Sequence, residues 1–144
     1  LSQGEYVALE KVEGVFGRAS NVNQIFVYGT STEDHLVAII VPDMDKKKAA
    51  LQEKGKGKGS KEEYSNSVME ELHNIGIKNK LKGFEMIKKI YIDYDIIEWG
   101  PQNGFTTPTQ KLKRQILYEK YKDSIENMYK ELKNEKMKRG LSKL

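Results

Sequence analysis

The stretch Phe105-Thr106-Thr107-Pro108-Thr109-Gln110-Lys111-Leu112-Lys113-Arg114 holds the densest set of side chains able to do chemistry. Pro101, Asn103-Gly104 and Pro108 fix a loop, and three cations, Lys111, Lys113 and Arg114, cluster where that loop enters a helix. A helix start presents unpaired backbone N–H groups to anions, so cations added there make a phosphate-directed site. They also oppose the helix macrodipole, a small cost in stability. The bland alternative is a solvated basic cap, and the residues alone leave both readings open.

Other candidates are weaker. The tract Gly55-Lys56-Gly57-Lys58-Gly59-Ser60-Lys61 has the composition of a phosphate loop but not its spacing. No glycine in it is followed five residues later by Gly-Lys-Ser/Thr, and no apolar strand precedes it. It reads instead as a flexible Gly/Lys-rich insertion over 54–62. Asp93 and Asp95 share one face of a strand end, where solvated carboxylates are expected rather than an acid–base pair. His35 and His73 have no second ligand at metal spacing and are assigned to structure. With no cysteine in the chain, disulfides, thiolate zinc and a cysteine nucleophile are excluded.

The elements that must position the basic loop follow from periodicity. Leu9, Val12, Val15, Phe16 and Ala19 predict an amphipathic helix over 9–18. Residues 22–28 and 35–41 are two apolar runs with a polar turn between them, an antiparallel hairpin. The second run is apolar at every position from Leu36 to Val41, which predicts a central strand covered on both faces. A helix over 44–54 follows, and another starts at the capping box Ser60 to Glu63 and continues through Tyr64, Val68, Leu72 and Ile75. A third strand is expected within 84–94, and a loop at 99–110. The last helix begins near Arg114 with the stripe Leu117, Tyr121, Ile125, Met128, Leu132. This order predicts an α+β domain with a small, mainly antiparallel three-stranded sheet and packed helices.

The chain has 144 residues, 25 Lys+Arg against 21 Asp+Glu, and a net charge of +4. That is one domain of ordinary size with only a mild basic balance, and no run approaches the roughly 20 apolar residues of a membrane span. It opens at Leu1 rather than Met, within sequence that reads as ordered, and is expected to be a piece of something longer.

Two segments carry a family resemblance. Leu1-Ser2-Gln3-Gly4-Glu5-Tyr6-Val7-Ala8-Leu9-Glu10-Lys11-Val12-Glu13 resembles the segment just after the interdomain hinge of adenylate-forming acyl-CoA synthetases. Thr107-Pro108-Thr109-Gln110-Lys111-Leu112-Lys113-Arg114 is similar to the catalytic-lysine motif of the long-chain fatty acyl branch. Ile39-Ile40-Val41-Pro42-Asp43 and Gly83-Phe84-Glu85 fall between them in the family order. The resemblance implies that residues 1–144 form the mobile C-terminal lid of a long-chain fatty acid–CoA ligase. Such an enzyme uses ATP and Mg2+ to make acyl-AMP, then transfers the acyl group to CoA. It further implies that Lys111 is the adenylation lysine, that Lys113 and Arg114 are secondary phosphate-facing groups, and that Gly4, Glu5 and Tyr6 line the pantetheine tunnel. Glu10 and Glu13 match structural or interface positions. Many relatives carry Gly immediately before the lysine, where this chain has Gln110.

The nucleotide pocket, the metal ligands and the acid-binding tunnel are expected in a missing N-terminal adenylation domain, with no metal held by this chain. These residues alone are therefore expected to be incomplete and inactive. The implied location is intracellular, cytoplasmic or peripheral on an intracellular membrane such as the endoplasmic reticulum, with no nucleic acid as partner. The competing classes are a basic module for anionic membrane or nucleic acid, and an adenylating ligase for a different carboxylic acid.

Overall fold

β-Branched and aromatic residues build three strands, and helices cover both faces of the sheet they form. The computed structural model describes residues 1–52 and 57–142. Its elements are α1 (Leu9–Phe16), β1 (Val22–Tyr28), β2 (Leu36–Pro42), α2 (Met44–Gln52), α3 (Gly57–Lys78), β3 (Ile87–Ile92) and α4 (Arg114–Ser142). The sheet order is β1-β2-β3, so β2 is central, and all seven of its residues are buried.

Side-chain alternation along β2 divides the core in two. Leu36, Ala38 and Ile40 point toward α1 and α3, where they meet Val12, Phe16, Val68 and Leu72. Val37, Ile39 and Val41 point toward α4, where they meet Leu117, Tyr121, Ile125 and Met128. Residues of both parities are buried because each face has its own helical cover, as the continuous apolar run predicts.

The sheet is mixed rather than mainly antiparallel. β1 and β2 form the expected antiparallel hairpin, but β3 runs parallel to β2, pairing Ala38 with Ile90 and Ile40 with Ile92. The cause is the connection. Between β2 and β3 the chain passes through α2 and α3, a helical crossover long enough to return it to the same end of the sheet.

One local expectation also changes. The capping box at Ser60 is not a helix start, because α3 already begins at Gly57. Ser60 is buried and donates its hydroxyl to the Ala50 carbonyl, which ties α3 to α2. Of the expected insertion over 54–62, residues 54–56 lie outside those described, and residues 57–62 fall in α3. The third strand falls within the expected 84–94, as β3, and is preceded by a 3-10 turn at Gly83–Glu85 in which Glu85 accepts the Lys82 N–H at 2.9 Å.

Glu71 on α3 fastens the α1–β1 connection. Its two carboxylate oxygens accept four hydrogen bonds, from the N–H and hydroxyl of Ser20 at 2.7 and 2.9 Å and from the N–H and amide of Asn21 at 3.0 and 2.8 Å. Partial burial pushes its pKa up, but these bonds outweigh burial and hold it below the ordinary 4.5. A carboxylate depressed in the folded state adds stability above its unfolded pKa and loses it as pH falls through the folded value. Glu71→Gln should therefore melt below the wild-type chain at pH 7, and the gap should close as pH falls below 4.5. Thermal melts of both proteins from pH 3 to 7 check this, and a gap independent of pH would refute it.

Candidate functional site

The basic loop is anchored at its entrance, its middle and its exit. Trp99 begins it and is almost wholly buried. The Gln24 amide of β1 satisfies the Trp99 backbone on both sides: Trp99 N–H donates to Oε1 at 2.6 Å and Nε2 donates to the Trp99 carbonyl at 2.8 Å. The indole Nε1 donates to the Tyr121 hydroxyl at 3.0 Å, which donates in turn to Asp93 Oδ2 at 2.6 Å. Asp93 is thus buried and hydrogen-bonded, not a solvated strand end, whereas Asp95 is exposed as expected. Burial, and then the carboxylate of Asp93, push the Tyr121 phenol pKa well up, so it stays a donor.

Asn103 holds the next bend, accepting the Gly100 N–H at 3.0 Å and donating to the Glu98 carbonyl at 2.8 Å. Gly104 follows with φ +81°, a conformation that glycine adopts without steric cost. The middle of the loop is a small hairpin, in which Thr106 bridges Leu112. Lys113 N–H donates to the Phe105 carbonyl at 2.9 Å, Thr107 N–H to the Lys111 carbonyl at 2.8 Å, and Gln110 N–H to the Thr107 carbonyl at 2.9 Å. Lys111 N–H donates to Thr107 Oγ1 at 3.1 Å. Leu112 packs on the α4-side core, so Lys111 and Lys113, one residue to either side, project outward, and both are exposed. Gln110 has φ +68°, a left-handed conformation favoured by glycine. The position for which the family resemblance implies Gly is therefore one whose backbone suits Gly.

Arg114, one of the cations expected to face phosphate, has a partner within the chain. Its guanidinium makes a two-pronged pair with Glu13 of α1, with Nη1 3.0 Å from Oε2 and Nη2 on Oε1. Glu13 Oε2 also accepts the Val27 N–H at 2.7 Å. Burial pushes the Glu13 pKa up, opposed by Arg114 and by the Val27 bond. Arg114 is therefore a structural cation that ties the start of α4 to α1 and β1, and Glu13 has the structural role expected of it. Arg114→Met should destabilise the chain by about 2–3 kcal/mol, because it leaves a buried carboxylate without its counter-charge. Urea unfolding should show the Glu13→Gln, Arg114→Met double variant losing less than Arg114→Met alone. A double variant that loses the sum of the single effects would contradict this pairing.

The opening segment forms a separate feature. Gly4 sits in a tight turn with φ +84°, its N–H on the Leu1 carbonyl at 3.0 Å, so its conformation accounts for a glycine there. Glu5 and Tyr6 are exposed and line a cleft of about 160 Å³ with Val7, Gly29 and Ser31. Lys111, Lys113 and Arg114 do not line that cleft. The structure thus brings Lys111 and Lys113 together, diverts Arg114, and keeps Gly4, Glu5 and Tyr6 apart from them. Gln24, Tyr121 and Asp93 also support the loop, and no local pattern marks them in that role, because the Gln24–Trp99 and Tyr121–Asp93 partners lie 75 and 28 residues apart.

No protein-family profile matches the chain. Among curated proteins, it is 39% identical over 134 residues to long-chain-fatty-acid–CoA ligase 6 of Mus musculus, covering 90% of this chain and 19% of that protein. The chain thus spans about a fifth of the length of the curated relatives it matches. Among solved structures, the adenylation domain of a carboxylate reductase from Mycobacterium chelonae superposes with a TM-score of 0.78 at 26% identity, covering 90% of this chain and 19% of that one. The corresponding domain from Segniliparus rugosus, solved with AMP and a co-purified carboxylic acid, gives 0.76 at 31% identity over 92% of this chain and 19% of that one. Over nine-tenths of its length the chain is similar in sequence to long-chain fatty acid–CoA ligases and in fold to the adenylation domains of carboxylate reductases.

Proposed function

We propose that this chain is the catalytic lid of an AMP-forming long-chain fatty acid–CoA ligase, and that Lys111 is its adenylation lysine. The observation that carries this reading is the presentation of Lys111, an exposed ammonium on a hairpin whose backbone is bonded on both sides. The left-handed Gln110 supports Lys111 over Lys113 as the residue that matches the family motif.

In the first half-reaction the fatty carboxylate attacks the α-phosphate of ATP, and the bond to pyrophosphate breaks. Negative charge shifts among the carboxylate and phosphate oxygens as this happens. An ammonium placed between them favours the transition state by electrostatics and positioning, without taking a proton. In the second half-reaction the CoA thiol attacks the acyl carbonyl and AMP leaves. Gly4, Glu5 and Tyr6 are assigned to the pantetheine path, which the lid brings to the active site by rotating from the adenylation pose to a second one. Mg2+ is assigned to the adenylation domain. Among the described residues no group of three or more His, Cys, Asp or Glu is arranged to hold a metal, and this chain contributes the lysine charge. We place the whole enzyme inside the cell, with peripheral contact to an internal membrane suited to its apolar substrate.

The test is fatty-acid-dependent ATP–pyrophosphate exchange by the full-length protein, followed by acyl-CoA formation when CoA is added. Both activities are expected with long-chain acids, and neither from residues 1–144 alone. No exchange by the full-length protein, or acyl-CoA formation by the isolated chain, would overturn the reading.

A further inference from the structure

We propose that Thr107 is a positioning residue for adenylation, fixing both backbone polar groups of Lys111 so that the ammonium starts from a defined origin. The inference rests on the assignment of Lys111 above and goes one residue beyond it.

Lysine reaches its target on a flexible four-carbon stem with many rotamers. The position of its ammonium is thus only as well defined as the backbone it hangs from. In this loop one residue supplies that definition. Thr107 N–H donates to the Lys111 carbonyl at 2.8 Å, and Thr107 Oγ1 accepts the Lys111 N–H at 3.1 Å. The Thr107 carbonyl accepts the Gln110 N–H at 2.9 Å and closes the turn in which Gln110 takes its left-handed conformation. Pro108, next in line, has no N–H to compete and a fixed φ. The Thr107 hydroxyl also shares a hydrogen bond with the Thr109 hydroxyl at 3.2 Å.

Only one of the two Thr107–Lys111 bonds depends on the side chain. Thr107→Val keeps the shape and the backbone N–H but removes the acceptor of the Lys111 N–H. Thr107→Ser restores that acceptor. Displacing a reacting group by about 1 Å costs on the order of 100-fold in rate, so a partial loosening of the loop should cost about 10-fold.

The experiment uses the full-length enzyme with ATP, a long-chain fatty acid and CoA, and measures the half-reactions separately. Thr107→Val is expected to lower kcat for acyl-adenylate formation about tenfold, with KM for ATP and acid within about twofold of wild type. Thioester formation from supplied acyl-adenylate should be unchanged, and Thr107→Ser should recover most of the adenylation rate. An undiminished adenylation rate in Thr107→Val, equal losses in both half-reactions, or no recovery in Thr107→Ser would overturn the positioning role. Lys111→Ala run alongside separates the two ideas. If it leaves adenylation intact, the lysine assignment itself fails; if it abolishes adenylation while Thr107→Val does not slow it, only the inference about Thr107 fails.

Discussion

Replacing Lys111 with alanine in the full-length enzyme should slow acyl-adenylate formation by about 100- to 1,000-fold, the range seen when one preorganised electrostatic group is removed from a reacting centre. Among the described residues no carboxylate pairs with the Lys111 ammonium, so its charge is not spent on the fold. Its truncation removes no buried apolar surface, and the folded chain should be nearly as stable as before. The loss should therefore appear in kcat, with thioester formation from supplied acyl-adenylate spared, because the proposed function gives that step to the second pose of the lid. Lys111→Arg should recover little, since a planar guanidinium does not reproduce a compact point charge. ATP–pyrophosphate exchange reads the first half-reaction, and CoA thioester release from added acyl-adenylate reads the second. Equal loss in both, or a loss that follows Lys113→Ala instead, would sink the assignment.

The largest effect on stability is expected at Trp99. Its indole is 1% exposed, lies edge-on to Tyr121 at 6.0 Å between ring centroids, and donates to the Tyr121 hydroxyl. Trp99→Ala removes the largest side chain of the α4-side core and leaves a cavity under the loop entrance, a loss of about 3–5 kcal/mol. Domains of this size are stable by only about 5–15 kcal/mol, so the variant should unfold at a much lower urea concentration. Trp99→Phe should lose less, since it keeps most of the buried ring and forfeits one hydrogen bond. Trp99 is the only tryptophan in the chain, so the comparison needs circular dichroism rather than intrinsic fluorescence. A loss below about 1 kcal/mol for Trp99→Ala would show that the loop entrance is held by the Gln24 bonds alone.

Local pattern carried the sheet and the long helix. Leu36 to Val41 announced a doubly covered strand, and Leu117, Tyr121, Ile125 and Met128 announced the face of α4 that covers it. Strand direction was a different matter. Whether β3 runs parallel or antiparallel is decided by how the crossover returns, and no residue in Ile87–Ile92 encodes that. The same limit applies at the site. Lys111, Lys113 and Arg114 look alike as three adjacent cations, and only the fold shows that one of them has a partner 101 residues away. Asp93 looked like a surface acid because its partner, Tyr121, lies 28 residues further on, across a loop. Ser60 looked like a helix cap because its type and spacing fit one, yet its hydroxyl found the Ala50 carbonyl instead.

Gln24 fastens the entrance of the lysine loop to β1, and Arg114 fastens its exit to α1. A loop pinned at both ends has no joint of its own. In the ligase reading the backbone that carries the ammonium then does not swing into place on the nanosecond-to-microsecond scale of free loops. It travels with the whole body, on the microsecond-to-millisecond scale of domain rotation. The first half-reaction would then keep time with the swing of the lid, and mutations at a distant hinge would set its pace as firmly as changes to the lysine itself.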